Sequence, residues 1–171
     1  MTEANSGVSP EPWLRGTLTE VPAVPRAVLH ALELASEDLH RWCGGLSDSE
    51  LNAKPAGVAP VAFHLRHIAR SLDRLLTYAE GAALSESQIA AMKTELDPRA
   101  TGEEVFSELD AALSRSAARV RALASGDFAA PRSVGKMQLP TTLGGLLVHV
   151  ADHTQRHAGQ AITTAKLVGA V

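Results

Sequence analysis

Apolar residues recur at steps of three and four along four stretches of the chain, and nowhere do they alternate cleanly for more than a few positions. That period is helical. The first stretch runs from about Pro25 to Cys43, with Val28, Leu32, Ala35, Leu39 and Trp42 on one stripe. Pro25 suits a first helical turn and Gly44-Gly45 a stop. The second runs from about Val61 to Ala79, with Leu65, Ile68, Leu72, Leu75 and Ala79 inward and Gly81 closing it. The third opens at Thr101, which has capping-box spacing with Glu104. It carries Val105, Leu109, Ala112, Leu113, Ser116, Val120 and Leu123, and Gly126 lies beyond its end. The fourth starts near Thr141 or Thr142 and reaches about Val168, with Leu143, Leu147, Val150, Thr154, His157, Ala161 and Ala165 as its inward line.

The intervening segments are punctuated differently. "LSDSELNAKPAGVAP" reads as a short turn of helix and a loop. A short helix is expected from Ser85 to Met92, and "GDFAAPRSVGKMQLPTT" is a loop with a short hairpin around Gly135. Four helices with apolar stripes predict an all-α four-helix bundle. At 171 residues the expectation is a single domain, 1–171, with about residues 1–12 a flexible tail. Trp13, Leu14 and Leu18 fall outside the four stripes and are available to cover the bundle or a partner.

Composition narrows the function classes. Apolar residues make up 45% and the net charge is −3 with signs mixed, so no basic patch offers itself to nucleic acid. Cys43 is the single cysteine, which excludes an internal disulfide or a cysteine metal cluster. No secretory leader and no run of about 18 apolar residues is seen, so a soluble cytoplasmic protein without a membrane partner is expected.

The candidate chemistry lies in the histidines. Three of the seven stand at intervals of four in "VHVADHTQRHAGQ": His149, His153 and His157. At about 100° per residue, steps of four drift by about 40°. His157 is then nearest the inward line, His153 one turn earlier on its flank, and His149 farther round. An i, i+4 pair lets two imidazoles of one helix converge on a single ion. A third ligand is expected from the second helix, where periodicity does not choose between His64 and His67. Thr154 occupies the position where H-E-x-x-H would need its glutamate, and neither the second nor the fourth helix, which carry the candidate ligands, holds a Glu-x-x-His, so neither that protease motif nor a carboxylate-bridged di-iron site is expected. Three nitrogens fit Zn²⁺, Ni²⁺ or Fe²⁺. His30 and His40 read as ordinary core or boundary residues, and Asp73 and Asp152 as solvated carboxylates. Binding should weaken below about pH 6, because an imidazole must be neutral to ligate.

"RHIARS" (residues 66–71) on the second helix and "DHTQRHAGQ" (residues 152–160) on the fourth resemble the DinB-like proteins, which include the YfiT-type proteins named as metal-dependent hydrolases. That family pattern is a histidine on helix two and H-x-x-x-H followed by Gly-Gln on the last helix. The resemblance implies the triad His67, His153 and His157. It also implies a DinB/YfiT-like bundle of antiparallel long helices with a long crossover connection. One departure is Ala158, where many relatives carry Arg or another larger residue.

The function so implied is a metal-dependent enzyme, a hydrolase or a thiol-dependent transferase or isomerase. It would use one divalent ion, Zn²⁺ or Ni²⁺ first and Fe²⁺ or Mn²⁺ next, with an open coordination position. A small-molecule substrate, a low-molecular-weight thiol among them, and a homodimer go with it. His64, His149 and Gln160 are candidate auxiliaries, and Ser71 is a candidate for lining the pocket. Gly159 reads as a site of close helix approach. The alternative is a non-catalytic bundle stabilised by metal, with His64 or His149 as a fourth ligand.

Overall fold

The computed structural model describes residues 9–169. Residues 1–8, most of the expected tail, lie outside the described residues. From Pro10 onward the chain is fixed. After a single 3-10 turn at Pro12–Leu14, the Arg15 guanidinium donates to Pro10 O at 2.7 Å and to the carboxylates of Glu33 and Glu37 at 2.9 and 2.6 Å. Leu18 packs against the core, whereas Trp13 and Leu14 are exposed.

Six helices and one hairpin follow. Helix α1 spans Ala23–Cys43, α2 Asp48–Leu51, α3 Val61–Ala79, α4 Glu86–Met92, α5 Gly102–Ala122 and α6 Leu143–Val168. Strands β1 (Pro131–Val134) and β2 (Leu139–Thr142) pair antiparallel around Gly135, so a fold expected to be all-α carries a small two-stranded sheet. The caps explain the boundaries. Ser47 with Glu50, Ser85 with Gln88 and Thr101 with Glu104 each form a reciprocal capping box, satisfying N–H groups that the first helical turn leaves free. Thr142 caps α6 by accepting from Gly145 N at 3.0 Å.

The long helices α1, α3, α5 and α6 pack side by side. Helix α6 lies against both α1 and α3, α3 against α5, and α5 against α1. Their directions depart from a purely antiparallel arrangement. Gln155 of α6 donates to Ala31 O of α1 at 2.7 Å and Lys166 lies 4.4 Å over the Trp42 ring, so α1 and α6 run parallel. Arg70 pairs with Glu108 and Glu80 with Arg119, so α3 and α5 also run parallel. Parallel neighbours cannot be joined by a tight turn, and the segment from Glu80 to Thr101, carrying α4, brings the chain back along the bundle. No helix of the described residues is long and apolar enough to cross a membrane.

The core is built from Leu32, Leu39, Leu65, Ile68, Leu72, Leu76, Leu109, Leu147 and their neighbours, all essentially inaccessible. Two stripe positions differ from the sequence pattern. Cys43 takes the buried place expected for Trp42, which is 43% exposed and stacked with Arg41 and Lys166. Leu76 takes the place expected for Leu75, which is half-buried. Gly159 meets nothing within 4 Å where a Cβ would stand, so no helix approaches there.

That open position gives a stability prediction. Gly159→Ala should raise the unfolding free energy by about 0.5–1 kcal/mol, because an exposed mid-helix glycine carries only an entropic penalty. Leu72→Ala should lower it by about 2–5 kcal/mol through the cavity left in the core. Urea midpoints of the purified variants check both signs, and an unchanged or lower midpoint for Gly159→Ala would mean that the glycine serves a contact.

Candidate metal centre

Two antiparallel helices supply the imidazoles. Pro60 precedes α3, which puts His64 and His67 in its first two turns. Helix α6 passes in the opposite direction, with Thr164 Oγ1 donating to Ala59 O at 3.4 Å. One ring nitrogen of each of His67, His153 and His157 lies within 4.8 Å of the other two. Ring centroids are 4.3 Å apart for His67 and His157, 4.6 Å for His153 and His157, and 5.0 Å for His67 and His153. All three rings are half-buried.

The inward line of α6 follows the sequence pattern at Leu143, Leu147, Val150, Thr154, Ala161 and Ala165 and departs from it at one position, where Ala158 is buried and His157 is half-buried rather than central. The histidines therefore occupy the seam with α3, while the small Ala158 faces the core.

The neighbouring groups fall into distinct places. His64 is buried, and its Nδ1 lies 3.1 Å from His157 Nδ1, beside the triad but not within it. Ser71 is buried, donates to Ile68 O and sits 3.4 Å from His153 Nδ1, so it lies against the triad. Phe63 stacks on His67 at 5.3 Å with the rings 22° from parallel, forming an apolar wall. His149 is exposed, 5.4 Å from the His153 ring. Gln160 is exposed and makes no side-chain hydrogen bond among the described residues. His30 meets Thr17 Oγ1 at 3.2 Å and His40 meets Asp110 Oδ1 at 2.8 Å, and neither belongs to the converging cluster. Asp73 is taken by Arg119 and Gln88, and Asp152 by Arg156.

The pattern of apolar positions along the chain does not single out Glu95. It is buried, and its Oε2 lies 2.8 Å from His67 Nδ1 while its Oε1 accepts from Arg74 at 2.8 Å. Burial alone would raise this carboxyl, but the hydrogen bonds from His67 and Arg74 outweigh it and hold it below its ordinary value. The only sequence signal was the spacing of Arg66, Arg70 and Arg74 at steps of four on the helix that carries His67. Elsewhere, burial pushes the Cys43 thiol up to about 11, which leaves it without thiolate character. A cavity of about 720 Å³ opens at the other end of α3, between Tyr78, Ile89 and the hairpin residues Arg132 and Lys136, away from the histidines.

A sequence profile of the DinB superfamily matches residues 31–161, which include all three histidines and Glu95. Neither a curated protein nor a solved structure matches the chain.

Burial, and then the positive charge that neighbouring imidazoles would carry, lower His64, His153 and His157 from 6.5 to about 4. Two of the clustered rings, His153 and His157, are thus neutral well below the pH of about 6.5 at which free imidazole takes up its proton. The same shift has a consequence for stability. Between pH 6.5 and about 4 the unfolded chain binds protons at these rings and the folded chain does not, so stability is complete above 6.5 and is lost as pH falls through that window. The metal-free chain, kept in chelator, should melt lower at pH 5 than at pH 7.5. His157→Gln should narrow that difference, and an equal pH dependence for variant and wild type would remove the imidazoles as its cause.

Proposed function

The chain belongs to the DinB superfamily, and on that premise we propose that it is a divalent-metal-binding protein of the DinB/YfiT-like four-helix-bundle type, with His67, His153 and His157 as the ligands. The observation that carries the reading is the convergence of one nitrogen from each ring within 4.8 Å, from two helices, at a half-buried seam. Uncharged imidazoles are the donors that Zn²⁺ and Ni²⁺ take most readily, with Fe²⁺ and Mn²⁺ behind them. His64, against His157, and the exposed His149 both fall outside the cluster of converging nitrogens, which favours three protein ligands over four.

Three protein ligands favour an enzyme over a structural site. When bound, such an ion supplies Lewis-acid chemistry to a water or thiol at its remaining position. The protein residues around it hold and shape. The α3–α6 seam fixes the spacing of the rings, Phe63 walls the site with an apolar face, and Ser71 lies against His153. The buried Cys43 is unsuited as nucleophile, so the reading is hydrolysis, or a transfer or isomerisation in which a low-molecular-weight thiol arrives as substrate. For a homodimer, the exposed Trp13, Leu14 and Val148 offer apolar contact surface.

The test is metal content of untagged protein. His67→Ala, His153→Ala and His157→Ala should each lose most of the bound ion, and His30→Ala should keep it. Full occupancy in His157→Ala protein would overturn the ligand assignment.

A further inference from the structure

Glu95 is 7% exposed, and it is the one buried carboxylate among the described residues. Its two oxygens have different partners, His67 Nδ1 on one side and Arg74 on the other. A carboxylate can only accept, so in the neutral ring, the form that ligates a metal, the His67 proton resides on Nδ1. The Nε2 lone pair is then free, and Nε2 is the atom 3.3 Å from His153 Nε2. Arg74 compensates the buried charge, which would otherwise be costly.

Glu95 reaches this place because its segment is strapped down. Arg66 donates to Asp97 O at 2.8 Å, Arg70 to Ala91 O at 2.7 Å and to Thr94 Oγ1 at 2.9 Å, and Arg74 to Glu95 itself. Three arginines one helical turn apart on α3 therefore bind the stretch from Ala91 to Asp97 at four of its residues. These residues lie in the segment that joins α3 to α5, not in either helix.

We infer that Glu95 is a positioning residue for the ion site, holding His67 with Nε2 toward its partners, and that ion binding at the triad tightens the segment from Ala91 to Asp97 in return. The inference rests on the metal reading of the triad. The reciprocity is thermodynamic: if an ordered Glu95 favours the ion, the ion favours an ordered Glu95 by the same factor. Carboxylates that orient a ligand imidazole change metal affinity by about 10- to 100-fold when removed.

The experiment uses the full chain as wild type, Glu95→Gln and Glu95→Ala. It measures three things: Zn²⁺ affinity by competition with a chromophoric chelator, the His67 tautomer by ¹⁵N NMR of metal-free protein, and hydrogen exchange at residues 91–97 with and without Zn²⁺. Wild type should show the Nδ1–H tautomer and slower exchange at 91–97 with Zn²⁺. Glu95→Ala should bind Zn²⁺ about 10- to 100-fold more weakly, lose the single tautomer and lose the coupling to exchange. Glu95→Gln, which keeps an acceptor oxygen and the side-chain volume, should fall between and serves as the folded control. Zn²⁺ affinities within twofold of wild type in both variants, with the tautomer unchanged, would overturn the inference. Wild type that takes no Zn²⁺ would overturn it together with the metal reading, and an intact Nδ1–H signal would then show that the metal premise failed while the Glu95–His67 contact stood.

Discussion

Imidazoles packed within 4.8 Å of one another can share that space only while most of them are uncharged, and the surrounding structure meets that condition. The seam between α3 and α6 is dry enough to keep His153 and His157 neutral yet open enough that the rings are not sealed in the core. Ala158 fills the core position beside them, so the histidines are pushed to the seam instead of the centre. The one buried carboxylate of the described residues, Glu95, stands outside the triangle of rings, behind His67, and Arg74 cancels it. An uncompensated carboxylate there would have favoured protonated rings. His30 and His40, which pair with Thr17 and Asp110 and not with another imidazole, are under no such constraint.

Helix direction and site chemistry are linked through the connection between α3 and α5. Because those helices run parallel, the chain has to travel the length of the bundle between them. Long irregular connections are uncommon in small domains unless they serve a purpose. Here the return path runs along the arginine-bearing face of α3 and delivers Glu95 to the back of His67. A tight antiparallel turn would have left His67 Nδ1 facing solvent.

Local chemistry made much of this legible in the sequence. The bounds of α3 follow from Pro60 and Gly81, and the start of α5 from Thr101 and Glu104, because prolines, glycines and caps act on their immediate neighbours. The His153–His157 pair was legible for the same reason, since i, i+4 residues share a helix face. What stayed hidden depends on paths between helices. Glu95 lies 28 residues from His67, in a stretch without periodicity. The parallel direction of α1 and α6 leaves no mark on either stripe. Trp42 and Leu75 were each displaced by one position, because a step of three and a step of four fit the same stripe until a neighbouring helix chooses between them.

The hairpin between α5 and α6 has a consequence for how the chain can be divided. Its tip projects into solvent, with Met137 82% exposed, and its strands contribute little to the core. Everything that holds and orients His67 precedes the tip, and His153 and His157 follow it. A chain opened between Lys136 and Met137 is thus two polypeptides, one with α1, α3 and α5 and the other with α6. Neither piece alone carries all three imidazoles, so the cut protein is a natural design for a split reporter, in which reassembly of the halves and capture of a divalent ion become one event.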